Sequence, residues 1–197
     1  MYKNSIILVL LLATAPVWVN AQVKYRHPLS SSSYVSYWYD HDSTSGKFKK
    51  YTCSTSGGYD THKGSDFPAS LGSSIYSGAA GELYYRKDGC KSTPDPLCGS
   101  GFGNHVRIKH TDGRVSIYAH MKNGTPAWQQ STLCSAKIGE VACSGRCDGN
   151  HVHFELWSNT SAGSRIDPFA GSCSQTTSYW VSLNTSNLPK TSCQPTI

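Results

Sequence analysis

Helical signal is almost absent from this chain: no long stretch carries a 3.6-residue apolar period, which argues against a helical bundle. Beyond the first fifteen residues no apolar run approaches the length that spans a bilayer, and there is no internal repeat, so membrane-spanning and solenoid architectures are set aside as well. The pattern H-E-x-x-H is missing too, and with it the helical zinc site that uses its own glutamate as base. A chain of 197 residues is long enough to bury one core and short for two.

What is present is β-strand patterning broken by turns. Tyr34 to Tyr39, Ile75 to Tyr76, Leu83 to Arg86, Val106 to Lys109, Val115 to His120 and His151 to Trp157 are rich in β-branched and aromatic residues and read as strands. Thr111-Asp112-Gly113 between two of them is a hairpin signal, with Asp-Gly at the turn. The expected fold class is all-β: a mostly antiparallel, sandwich-like single domain with disulfide-stapled loops. At the N-terminus, Met1-Tyr2-Lys3-Asn4-Ser5 precedes an apolar run from Ile6 to Ala15, and Val19-Asn20-Ala21 is a small-residue cleavage pattern. Residues 1–21 therefore read as a signal peptide, and the expected location is secreted, either extracellular or periplasmic.

Eight cysteines in an exported chain imply four disulfides rather than a thiolate zinc site, because oxidising compartments favour the former. Proximity favours Cys90 with Cys98, and Cys143 with Cys147. Cys173 with Cys193 would then staple the tail, leaving Cys53 with Cys134. Net charge is +6, or +5 without Lys3, from 17 basic against 12 acidic residues, which raises local concentration near an anionic surface. The aromatics Tyr34, Tyr37, Trp38, Tyr39 and Tyr51 are either strand packing or the lining of a groove. Three sequons, at Asn123, Asn159 and Asn184, matter only in a eukaryotic secretory host.

The chemistry concentrates in two short strings, His62-Lys63-Gly64-Ser65-Asp66 and His151-Val152-His153-Phe154-Glu155. Together they hold histidine nitrogens and a carboxylate, the donor set of a zinc site that keeps a position open for water. In a strand His151 and His153 project from one face, while Val152, Phe154 and Leu156 project from the other. His62 and Asp66 share a face in an extended segment and would share one in a helix. Gly57-Gly58 and Pro68 favour the extended or loop form, and Gly64 between the two leaves room for an ion. A further histidine, His120, lies on the second hairpin strand. Glu155 has the strand parity of both histidines, and is either an orienting partner for a ligand ring or a solvated strand charge.

The ordered set His62-x-Gly-x-Asp66, Tyr118-Ala119-His120-Met121 and Gly149-Asn150-His151-Val152-His153-Phe154-Glu155 resembles the lysostaphin or beta-lytic metallopeptidase family, the LytM-type zinc endopeptidases. Gly139 and Gly145 before the last motif and Ile166-Asp167-Pro168 after it fall in the family's order, and the resemblance covers roughly residues 57 to 170. It implies cleavage of short peptides in bacterial peptidoglycan, often at glycine-containing bonds, by one zinc ion held by His62, Asp66 and His153. It makes His120 and His151 the catalytic pair. Histidine, with an unperturbed pKa near 6.5, suits proton transfer. One of the two serves as general base and the other stabilises the oxyanion, with the order between them open. The resulting division is 1–21 leader, 22–56 N-terminal segment of the mature domain, 57–170 zinc endopeptidase core and 171–197 disulfide-stapled tail. Expected partners are peptidoglycan peptides, with no nucleic acid and no membrane span, and the chain is expected to act as a monomer. The alternative is a non-catalytic relative that binds cell wall or activates an amidase.

Overall fold

The structure, a computed structural model, describes residues 22–128 and 131–195. The leader assigned to residues 1–21 lies outside them. The elements in order are strands β1 (Ser65–Pro68), β2 (Ser74–Tyr76), β3 (Glu82–Lys87), β4 (Asn104–Lys109), β5 (Val115–Met121), β6 (Lys137–Glu140), β7 (His151–Trp157) and β8 (Arg165–Ile166). A 3-10 turn at Cys98–Gly101 precedes β4.

The pairings between these strands are antiparallel, in line with the expected mostly antiparallel fold, and parallel contacts are confined to isolated bridges such as Tyr25 with Trp180 among the described residues. The main sheet runs β1-β7-β5-β4-β3, with β8 also on β7, and β2 pairs β6 in a separate two-stranded ribbon. The β4–β5 hairpin closes where its sequence signal lies: Gly113 takes φ 85°, a left-handed backbone open to glycine, and its N–H donates to the His110 carbonyl at 3.0 Å. The predicted strand over Tyr34 to Tyr39 does not form as one. That segment is extended but bridges the sheet only through Tyr37 opposite Asp66.

Alternation along β7 decides the layers. Val152, Phe154 and Leu156 enter the main core with Phe67, Val106, Ile108 and Tyr118. The opposite face carries His153, Glu155 and Trp157, the last packed with Val115 and Ile117. Burying a side chain such as Phe154 contributes about 1.5 to 3 kcal/mol, so the core face fixes the register that aims His151 and His153 at the other side. Opposite the core face stand the β2–β6 ribbon, through Ile75 and Ile138, and the terminal segments, through Tyr25, Leu29, Tyr51 and Trp180.

All eight cysteines are paired. Cys90–Cys98 and Cys143–Cys147 form as expected. The other two pairings are corrected: Cys53 joins Cys173, and Cys134 joins Cys193. The tail does not close on itself. The Cys173 N–H donates to the Tyr51 carbonyl at 2.9 Å, which sets Cys173 beside Cys53. The chain then runs along the N-terminal segment, Val181 N–H to Tyr25 carbonyl at 2.8 Å, before reaching Cys134. Proximity in sequence decided the short loops, whereas packing of the tail decided the long ones.

Candidate metal centre

β1 and β7 bring the two histidine strings together, with Asp66 directly opposite His153. His62 lies in the turn just before β1, held by the buried carboxylate of Asp40, which accepts the Thr61 N–H at 2.9 Å, while the Asp40 N–H donates to the His62 carbonyl at 2.7 Å. His62, Asp66 and His153 are all buried. Their donor atoms form a triangle: His153 Nδ1 lies 2.7 Å from Asp66 Oδ1 and 3.3 Å from His62 Nε2, and His62 Nε2 lies 3.2 Å from Asp66 Oδ1.

That triangle passes a direct test for zinc. Donors about 2.0 to 2.2 Å from a tetrahedral ion are themselves about 3.3 Å apart, so these three fit one ion with little movement. Their outer atoms are also committed. His62 Nδ1 donates to the Trp38 carbonyl at 2.9 Å, which leaves Nε2 as the lone-pair donor. His153 Nε2 faces Glu155 Oε1 at 3.2 Å, which leaves its Nδ1 for the centre. Glu155 is not a solvated strand charge. It is buried, and its Oε2 accepts from Trp157 Nε1 at 2.5 Å and Arg165 Nε at 2.8 Å. A carboxylate behind a ligating histidine fixes the ring and raises its basicity.

Gly64 is needed here for a reason other than the one its spacing suggests. A Cβ at that position would stand 2.5 Å from His153 Cε1 and 2.7 Å from the Phe154 carbonyl oxygen. The glycine admits the His153 ring, and so the close approach of its segment to β7.

His120 reaches the site against strand parity. Ala119 is opposite His153, so a regular β5 would turn His120 into the core. The β4–β5 register instead shifts between Asn104↔Met121 and Val106↔Tyr118, and His120 takes φ 61°. This bulge re-aims the side chain, a known use of bulges beside functional sites. The His120 ring centroid lies 4.7 Å from that of His151 and 5.7 Å from that of His153. His120 Nδ1 donates to the Ser144 carbonyl at 2.6 Å and His151 Nδ1 to the Gly149 carbonyl at 2.8 Å, so Nε2 of each ring is the free base. His151 Nε2 is 3.6 Å from Asp66 Oδ2.

Electrostatics separate the two groups of histidines. Burial pushes His120 down to about 3, helped by the neighbouring His151 and His153 rings, and burial lowers His151 against the pull of Asp66. Both are neutral proton acceptors at neutral pH. Burial alone would raise Asp66 and lower His153, but each stabilises the charged form of the other, so Asp66 falls well below the carboxylate range and His153 rises to about 10. The proton on His153 and a metal cation would therefore compete for one place beside Asp66.

The centre forms the wall between two cavities of about 340 Å³ each. One is bounded by Tyr37, Pro68, His151 and the 146–150 loop, the other by Lys63, Phe102, His153 and Arg165, and both by Tyr59, His120 and Arg146. Of the aromatics noted in the sequence, Tyr37 borders this groove, whereas Trp38 and Tyr51 pack on Phe169 in the interior. Tyr59, Arg146, Asp40 and the Ser144 carbonyl were not singled out by the sequence patterns. Tyr59, three residues before His62 and edge-on to Tyr37 at 5.3 Å, was the one with a signal, its nearness to a motif.

The profile of Peptidase family M23 matches residues 60–168. The chain is 31% identical over 107 residues to the DD-carboxypeptidase/endopeptidase Mpg of Neisseria meningitidis serogroup B, covering 54% of this chain and 22% of that protein. It is 29% identical over 127 residues to the murein hydrolase activator NlpD of Salmonella dublin, covering 64% of this chain and 30% of that protein. The chain thus spans less than a third of the length of either relative. A chain of the SpoIIQ–SpoIIIAH pore-forming complex shares the fold, with a TM-score of 0.52 at 19% identity over 75% of this chain and 90% of that one. The chain belongs to peptidase family M23.

Proposed function

We propose that this M23 member is an exported zinc-dependent endopeptidase that hydrolyses peptide bonds in bacterial peptidoglycan. The observation that carries the reading is the donor triangle of His62, Asp66 and His153 with two neutral histidines, His120 and His151, on its open side. Zinc at the triangle supplies Lewis acidity and lowers the pKa of water to about 7. The chain supplies the rest. Nε2 of one of the paired histidines takes the proton of the attacking water and returns it to the departing amine. The other would take up one solvent proton on Nε2 as negative charge builds, donate that N–H to the oxyanion, and release the proton when the oxyanion collapses. Burial of both rings keeps them neutral in the resting state and strengthens each charge interaction made during the reaction. Four disulfides support export to an oxidising compartment, extracellular or periplasmic. The protein is expected to work as a monomer, without nucleic acid.

The second reading is a wall-binding or amidase-activating protein, favoured by the name of the Salmonella relative. The two readings part on one experiment. Purified protein is loaded with zinc, incubated with peptidoglycans of different cross-bridge type, and the products are identified by mass. New amine and carboxyl ends that vanish with a chelator and return with zinc support the hydrolase. Zinc bound at about one per chain with no new ends supports the second reading.

A further inference from the structure

Arg146 stands apart from the other five arginines of the chain. Each of those has a hydrogen-bond partner, an ion-pair partner or an aromatic ring under its guanidinium: Arg26 with Leu29, Arg86 with Asp88, Arg107 over Tyr85 and Trp157, Arg114 with Asp112, Arg165 with Glu155. Among the described residues the Arg146 side chain has none of these, and it is exposed. Asp148, two residues on, makes no ion pair with it among those residues. Yet Arg146 borders both cavities beside the metal centre.

Its backbone, by contrast, is fixed. The Arg146 N–H donates to the Gly101 carbonyl at 2.8 Å, and the Asp95 N–H donates to the Gly145 carbonyl at 2.7 Å. The Cys143–Cys147 disulfide closes this segment into a small ring, and its Ser144 carbonyl holds His120. A free guanidinium is therefore carried by a rigid support directly linked to a histidine of the site. The other cations of the groove are spent: Lys63 Nζ donates to the Asp40 carbonyl at 2.6 Å and Arg165 Nε to Glu155 at 2.8 Å.

Resting on the hydrolase reading above, we propose that Arg146 is a specificity determinant that binds a free carboxylate of the peptide lying across the metal centre. A guanidinium fork matches a carboxylate with two parallel hydrogen bonds, a geometry that an uncharged partner does not reward. The preferred substrate class is then an acidic stem-type peptide of the wall rather than an uncharged glycine bridge.

The test uses the zinc-loaded protein and soluble peptides: a cross-linked stem-peptide dimer with free carboxylates, the same dimer amidated at its terminal or at its side-chain carboxylates, and pentaglycine acetylated at its N-terminus and amidated at its C-terminus. Affinities are read by calorimetry in the His151→Ala background, which keeps the peptide intact. Arg146→Gln should weaken the free-acid dimer about 10- to 100-fold, the loss expected for one charged hydrogen-bonded contact. Arg146→Lys should recover part of it. Amidating the carboxylate that the arginine holds should cost the same factor in the protein that retains Arg146, and should remove the effect of Arg146→Gln, which tells terminal from side-chain recognition. Equal affinity for the free-acid dimer with Arg146 and with Arg146→Gln overturns the proposal. Failure of wild-type protein to cut any of these peptides counts against the hydrolase reading alone, since the affinities still decide Arg146.

Discussion

Each of the four histidines at the site has one ring nitrogen tied to a fixed acceptor, a carbonyl for His62, His120 and His151 and a carboxylate for His153, so the direction of the remaining lone pair is set by the fold. The proposed roles predict a clean separation. Alanine at His62, Asp66 or His153 removes a donor from a three-residue set, and elemental analysis should find zinc lost or strongly depleted. Alanine at His120 or His151 should keep zinc at full occupancy while turnover falls about 10²- to 10⁴-fold, the usual weight of a general acid–base group. Full zinc in His153→Ala, or near-normal cleavage by His151→Ala, would show the roles misassigned. Glu155→Gln is a subtler probe. It keeps the shape but weakens the anchor of the His153 ring and unpairs Arg165, so zinc affinity measured against a competing chelator should drop about 10- to 100-fold. His62, Asp66, His151 and His153 could be grouped from the sequence because strand parity and the i, i+4 spacing depend only on the local backbone, whereas His120 entered only through its motif. Glu155 was legible only halfway: parity placed it on the metal face, but its burial among Trp157 and Arg165 depends on β8, a strand of two residues with no signal of its own.

At the scale of elements, the site is an agreement between a strand pair and an irregularity. β1 meets β7 closely enough to bring the donor atoms of His62, Asp66 and His153 together because Gly64 has no side chain. Gly64→Ala forces a Cβ against a ring and against a backbone carbonyl, neither of which is the free end of a flexible side chain. The expected result is a stability loss of about 1 to 3 kcal/mol, in the range of core overpacking, with zinc affinity falling alongside. Denaturant midpoints and chelator competition measure the two, and a variant of wild-type stability that binds zinc normally would refute this account of the glycine. The hairpin of β4 and β5 was readable from Asp-Gly and alternation, but the bulge that turns His120 outward was not. Parity alone would have buried that histidine in the core, and only the register shift against β4, a non-local fact, corrects it. The expected strand at Tyr34 to Tyr39 failed for the complementary reason: its aromatic and β-branched composition is suitable, but Tyr37 opposite Asp66 is its only bridge to the sheet.

Over the whole molecule, the two terminal segments complete the core that the sheet begins. Tyr25 and Trp180 form a parallel bridge, and both pack into the cluster that holds Phe154 and Phe67. Two of the disulfides tie this wrap down, Cys53–Cys173 across 120 residues and Cys134–Cys193 across 59. Peptide mapping of unreduced protein should recover these pairs, and removing either should cost about 2 to 5 kcal/mol. The same wrap buries ionisable groups, and this sets the response to acid. His27 lies fully buried beneath it, edge-on to Phe67, and burial together with the charge of Arg26 pushes it down from 6.5 to about 3. Unfolding restores an ordinary histidine, so between pH of about 6.5 and about 3 the unfolded chain binds the extra proton and the folded chain does not. The contribution to stability is complete above pH 6.5 and declines as pH falls through that window. His27 shares this window and this sign with His105 and His120, which burial lowers to about 4 and about 3, so a wild-type curve alone mixes the three, whereas His153, raised to about 10 beside Asp66, acts only above pH 6.5. Denaturant midpoints of chelator-treated wild type and His27→Asn across this pH range isolate the first. The variant starts lower at pH 7 because it loses packing, but its midpoint should fall less steeply on acidification. A slope equal to that of wild type would mean that His27 is protonated in the folded protein and that the wrap of the terminal segments is looser than the structure shows.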